Sequence, residues 1–146
     1  MIEQILVDKL RSYIIQNNPE LMLRLQKEMV FSSYLEEKVN AFSGQLSAWV
    51  SDGKPQHVIE ELGINALTAD LKPSRFNYLK EIFEEEFPNE YARFREVGVL
   101  TYELSNMCDY CKAIFERFSF SEENEDDRLL HYEVTGALSD YLNGIE

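Results

Sequence analysis

Cys108-Asp109-Tyr110-Cys111 is a segment whose residue types and spacing could do chemistry. A C-x-x-C pair brings two thiols to one metal ion or to each other, for ligation or for thiol–disulfide exchange. A structural zinc site needs four ligands. No second C-x-x-C and no paired His follows, and the only histidines are His57 and His131. Cys108, Cys111, His57 and His131 are therefore the weak candidates for a metal set, at a spacing that matches no common module. A redox pair belongs at a helix N-terminus, where the dipole lowers the thiol pKa. Here the pair lies inside a predicted long helix, in phase with an apolar stripe. Small buried core residues are the preferred reading. No metal and no cofactor is expected.

Asp127 and His131 stand four apart, one helical turn, so a carboxylate could support an imidazolium. No nucleophile accompanies them at a recognisable spacing, and a solvent-facing ion pair is the simpler reading. The chain has no His-Glu-x-x-His, no pair of Glu-x-x-His motifs, no Gly-rich phosphate loop and no G-x-S-x-G. Carboxylates are abundant. Glu81, Glu84, Glu85, Glu86 and Glu90 form one cluster; Glu122, Glu123, Glu125, Asp126 and Asp127 form another. Nothing singles out two of them for acid–base work. The second cluster suits a helix N-terminus. The first lies towards a helix C-terminus, where acids are mildly unfavourable, and is the more suggestive as a partner-binding surface.

The elements that position these residues follow from periodicity. Phe94, Val97, Leu104, Cys108, Cys111, Phe115 and Phe118, with Thr101 as the polar interruption, recur at spacings of three and four. That stripe predicts one long helix opening near Pro88-Asn89-Glu90, with Gly98 marking a kink or a close crossing. Before it, Ile2–Gln16 has a helical face of Ile2, Ile5, Leu6, Leu10, Tyr13 and Ile14, and Asn17-Asn18-Pro19 stops it. A second helix is expected from Pro19 to about Val50, bending around Arg24–Lys27. Its face is Phe31, Leu35, Phe42, Leu46 and Trp49, with Val39 and Val50 beside them. His57–Asp70 is a shorter helical segment that contains Gly63, a residue unfavourable inside a helix. Ser74–Phe87 is another, with Phe76, Leu79, Phe83 and Phe87 inward. The last, Glu125–Asn143, buries Leu130, Val134, Leu138 and Tyr141. No strand alternation and no internal repeat shows. The expected fold is all-α, a compact bundle of about six helices in a single domain, 1–146.

Composition limits the function classes. Net charge is −13, and residues 74–146 hold 17 of the 27 acids against 7 bases. That half repels nucleic acid and anionic lipid, so neither direct nucleic-acid binding nor membrane binding is expected. It also holds thirteen of the eighteen aromatic residues. An acidic, Tyr-rich surface suits protein recognition better than chemistry. No apolar run approaches the ~20 residues of a membrane span. The N-terminus carries acids before any base, unlike a secretory signal, so the cytoplasm is the expected compartment.

Four segments carry a resemblance. They are Leu10-Arg11-Ser12-Tyr13 running into Asn18-Pro19-Glu20-Leu21; Ser74-Arg75-Phe76; Cys111-Lys112-Ala113-Ile114-Phe115-Glu116-Arg117-Phe118; and Glu133-Val134-Thr135-Gly136. In this order they resemble an uncharacterised family of small acidic helical proteins, often carried on conjugative transposons of Bacteroidetes-type bacteria. The resemblance covers most of the chain and is weakest across 25–70. It implies a helical fold and a mobile-element context, and supplies no catalytic residue. Cys111 fits the family pattern better than Cys108. Gly136 would permit a close helix crossing.

The functional expectation is a non-enzymatic accessory or regulatory protein that binds another protein, basic or DNA-binding, through its acidic, aromatic-rich half. One alternative is a DNA-mimic inhibitor of a DNA-binding protein, whose carboxylates would track duplex phosphates. Another is a metal- or thiol-dependent enzyme built on the two Cys and two His. Apolar surface on the first two helices could also support a homodimer.

Overall fold

The computed structural model describes residues 2–145. Among them it contains α-helices, one 3-10 turn and no strand, so the chain is all-α. Contacts divide it after Lys72 into two compact units, each with its own hydrophobic core. Among the described residues, no helix is long and apolar enough to cross a membrane.

The first unit comprises α1 (Ile2–Asn17), α2 (Pro19–Lys27), α3 (Phe31–Ala41), α4 (Ser43–Ser51) and α5 (Gln56–Leu67), followed by a 3-10 turn, Ala69–Leu71. Helix α1 lies at its centre, packed on α2, α3 and α5. Leu6, Leu10 and Ile14, at helical spacing, are fully buried there beside Leu35, Val39 and Leu46. Gly63 explains how α5 reaches α1: a Cβ built on it would stand 3.0 Å from Leu6 Cδ2. Lys38 of α3 bonds both oxygens of Asp70 at 2.9 Å and the Leu67 carbonyl at 3.3 Å. A cation thereby meets the negative end of α5.

The second unit comprises α6 (Arg75–Glu86), α7 (Pro88–Glu96), α8 (Leu100–Tyr110), α9 (Lys112–Arg117) and α10 (Arg128–Ile145). Helix α6 is the centre, packed on α7, α8 and α10. Ser74 caps it, its hydroxyl accepting the Asn77 N–H at 3.0 Å. The core is built on rings: Phe83 stacks on Phe94 at 5.7 Å, and Phe115 meets Phe120 at 4.9 Å. Asp127 caps α10, Oδ1 accepting the N–H groups of Leu129 and Leu130 at 2.8 and 3.1 Å.

Two expected long helices are each three short ones. The stripe from Phe94 to Phe118 is divided among α7, α8 and α9. The first break is at Gly98, whose φ is +81°. The second is at Cys111, which ends α8 and starts α9. The breaks turn Val97 out to 65% exposure and expose Thr101, although the spacing had placed both with the core. Likewise the helix expected over Pro19–Val50 breaks at Glu28–Val30 and at Phe42 into α2, α3 and α4. Val39 is therefore fully buried and Val50 exposed. The bundle accordingly has ten α-helices among the described residues rather than about six.

The repeat that the sequence did not show is present in the structure. The helices of the second unit follow those of the first in order, and the α2/α7 and α3/α8 pairs match in length. Adding 69 to the numbers of Val7, Leu10, Ile14, Leu25, Leu35, Val39 and Leu46 gives Phe76, Leu79, Phe83, Phe94, Leu104, Cys108 and Phe115. All fourteen are buried. Adding 71 to Ile59, Gly63 and Leu67 of α5 gives Leu130, Val134 and Leu138 of α10, again all buried. The packing partners correspond too: the first helix of each unit contacts the second, third and fifth. Even the turn after the second helix is the same. Met29 N–H donates to Gln26 O and Val30 N–H to Leu25 O, at 3.0 and 2.9 Å; Gly98 N–H donates to Arg95 O and Val99 N–H to Phe94 O, at 3.2 and 2.9 Å. This closure ends a helix on a left-handed residue, and both Met29 (φ +61°) and Gly98 are left-handed.

Candidate functional site

The first acidic cluster is divided between two helices. Glu81, Glu84, Glu85 and Glu86 lie on α6, which ends at Glu86, while Glu90 lies in the first turn of α7. Their structural status therefore differs. Glu90 meets the positive end of its helix, whereas Glu84, Glu85 and Glu86 crowd the negative end of theirs. Glu81, Glu84 and Glu85 are exposed, at the i, i+3, i+4 spacing of one helix face. Glu86 is engaged: its Oε1 lies 3.4 Å from His131 Nε2 on α10.

That contact reassigns the Asp127–His131 pair. Asp127 spends its carboxylate on the α10 N-terminus, and the imidazole of His131 turns to Glu86. The remaining acids of the second cluster lie in the turns before α10, and Glu122, Glu123, Glu125 and Asp126 are exposed. The segment is fastened by Asn124, whose Nδ2 donates to Phe118 O at 2.7 Å and whose Oδ1 accepts Ser121 N–H at 2.8 Å. The charges of Asp127, Asp126 and Glu125 also act on Tyr78. Burial first, and these carboxylates second, push its phenol up to about 12.

Cys108 and Cys111 are both buried in the core of the second unit. Cys111 occupies the start of α9, the position at which a dipole would favour thiolate. Burial outweighs that effect and pushes its thiol up to about 12, so at neutral pH it carries its proton. His57 lies exposed in the first turn of α5, in the first unit. Among the described residues, no group of three or more His, Cys, Asp or Glu side chains is arranged to hold a metal ion.

The structure also gathers residues that spacing alone did not single out. On α8, Tyr102 and Tyr110 are 60% and 52% exposed. Tyr141 of α10 lies against Tyr110, its ring edge-on with centroids 5.5 Å apart. Its hydroxyl donates to Glu103 Oε2 at 3.1 Å. Burial and the Glu103 carboxylate raise the Tyr141 phenol above its ordinary value, with Asn106 partly offsetting them. The result is a shallow surface of three tyrosine rings and a carboxylate. A second exposed pair, Leu129 and Tyr132, begins the outer side of α10, where Gly136 follows. Nothing lies within 4 Å of the Cβ that Gly136 lacks. The close helix crossing expected there is not made within the chain.

The architecture thus defines a class, an all-α protein made of two five-helix units. The chain matches the family described as Domain of unknown function (DUF1896) over residues 7–145, and it belongs to that family. No curated protein and no solved structure matches it. The family match spans both units and assigns no activity.

Proposed function

We propose that this protein is a non-enzymatic accessory or regulatory protein that binds a basic protein partner through its second unit. The observation that supports this is a coincidence of charge and exposed rings. Residues 74–146 carry 17 of the 27 acids. The strongly exposed tyrosines, Tyr102, Tyr110 and Tyr132, all lie in the same unit. Exposed rings are unfavourable in water unless something covers them, and tyrosine is enriched at protein interfaces because it is both apolar and hydrogen-bonding. The acidic balance of the unit selects the sign of the partner and speeds its encounter.

Glu81, Glu84 and Glu85 are the carboxylates we assign to steering, since they stand exposed on one face of α6, with Glu84 and Glu85 at the helix end where the dipole disfavours them. Glu86 and Glu90 complete that acidic edge. A cytoplasmic setting and the mobile-element context belong to the same reading.

The test is capture of partners by the tagged full chain from native host lysate, eluted along a salt gradient, beside the variant Glu84→Lys with Glu85→Lys. The expected result is a discrete partner that elutes at moderate salt and, from the variant, at distinctly lower salt. Equal retention by both proteins would reduce this acidic edge to a solubilising role.

A further inference from the structure

The internal repeat makes it possible to ask which surface residues the fold itself requires. The first unit builds its helices in the same order and with matching buried positions, although α1, α4 and α5 differ in length from α6, α9 and α10. The counterparts of Tyr102 and Tyr110, 69 residues earlier, are Ser33 and Ala41, both exposed. The residue 71 positions before Tyr141 is Asp70, which lies in the 3-10 turn beyond the end of α5 rather than in a helix. Asp70 pairs with Lys38 at 2.9 Å, and the residue 69 positions before Glu103 is the half-buried Tyr34, so the Tyr141–Glu103 pair has no equivalent in the first unit. The third helix of the first unit is therefore built without rings at the positions of Tyr102 and Tyr110. Tyr102 and Tyr110 expose apolar area that the sister helix does without, whereas Tyr141 is half-buried and packs against the core of the second unit.

We infer that the face of α8 and α10 formed by Tyr102, Glu103, Asn106, Tyr110 and Tyr141 is a docking surface for an arginine-bearing segment of a partner protein. It rests on the reading that the second unit binds a basic protein, and it assigns that binding to a face other than the α6 carboxylates. Three observations select arginine. Tyr102 and Tyr110 are more than half exposed, and a planar guanidinium stacks on a phenol ring better than an ammonium does. Glu103 stands among them with Asp109 exposed on the same helix, and a carboxylate accepts the guanidinium fork. The unit as a whole is strongly acidic, so an approaching cation is attracted before contact. Tyr102 and Tyr110 are eight residues apart on α8, about 12 Å along its axis. Two arginines of one segment, one at each ring, are the natural complement.

The experiment is titration of the isotope-labelled full chain with a short synthetic peptide of alternating arginine and glycine, and separately with the lysine–glycine peptide, followed by amide and tyrosine-ring chemical shifts. The expected result is a set of shifts centred on Tyr102, Glu103, Asn106, Tyr110 and Tyr141, with the arginine peptide bound more tightly than the lysine peptide. Tyr102→Ser with Tyr110→Ala, the sister unit's own residues, is expected to weaken the arginine peptide about tenfold, as the loss of two exposed cation–ring contacts implies. Its helical circular dichroism should match the parent's. Should that pair lose fold, Tyr102→Ser alone and Glu103→Gln each give the same reading with smaller loss. Shifts centred on Glu81, Glu84 and Glu85 would overturn this inference while leaving acidic recognition standing. Equal binding of the two peptides, or binding unchanged in a folded double variant, would overturn it as well.

Discussion

Met29 and Gly98 do the same job in two units with unequal aptitude. Each closes a helix from the left-handed region, where a side chain bearing Cβ is disfavoured and glycine is not. Met29 is 90% exposed, so it has little packing to lose. Met29→Gly is expected to stabilise the protein by about 1 kcal/mol, and Gly98→Ala to destabilise it by a similar amount. Denaturant midpoints of both variants check this; a destabilised Met29→Gly would mean that the methionine makes compensating contacts. Cys111 gives a second expectation at this scale. With its thiol held near 12 against an ordinary 9.0, the folded chain keeps a proton that the unfolded chain releases. The associated stability is complete below about pH 9 and is lost as the pH rises towards 12. Native protein at pH 8 should leave Cys111 unalkylated by iodoacetamide, and unfolded protein should react. Rapid native labelling would contradict the burial that removes its nucleophilic role. Tyr78 adds to the same alkaline loss, between its ordinary 10.0 and about 12.

At the scale of the element, two of the helical glycines, Gly63 and Gly136, have opposite roles. Gly63 lets α5 approach α1, with Leu6 3.0 Å from the missing Cβ, and Gly136 faces open space. Gly136→Ala is expected to raise stability by about 1 kcal/mol through helix propensity alone. Gly63→Ala gains the same propensity and loses it to displacement of Leu6, so it should not stabilise. Thermal melts of the two variants separate the cases, and equal shifts would show that α1 and α5 have slack at that contact. These elements also show what periodicity could and could not convey. The spacing of Phe94, Leu104, Cys108 and Phe115 announced a buried helical face, and all four are buried. It could not announce the breaks at Gly98 and Cys111, because three short helices following one another keep nearly the phase of one long helix. Cys111 carries no breaking signal: it is an ordinary core residue at a bend fixed by packing on α6 and α10. The tyrosine face was equally silent, since Tyr141 is joined to Glu103 across 38 positions.

For the whole molecule, each unit has a core of its own, and damage should follow the units. Phe115 is fully buried among Tyr78 and Phe120. Phe115→Ala is expected to cost about 3–5 kcal/mol. Hydrogen exchange should then lose protection in 73–145, with protection in 2–72 retained. Loss spread evenly over both would show one cooperative unit. The excess of acids in 74–146 adds a separate expectation, that moderate sodium chloride raises the melting temperature by screening self-repulsion.

By itself the sequence determined the helical class, most of the buried positions, the acidic balance of the second half and the family, because these depend on residue type and on spacing within a few turns. Only the tertiary structure decided where the helices break, which carboxylate His131 meets, and which tyrosines share a face. It also revealed the repeat. The equivalent core positions pair valine with phenylalanine, isoleucine with phenylalanine and valine with cysteine, so similarity of residue is lost while burial and register persist. Packing tolerates such exchanges when neighbours compensate in volume, and that compensation exists only in three dimensions.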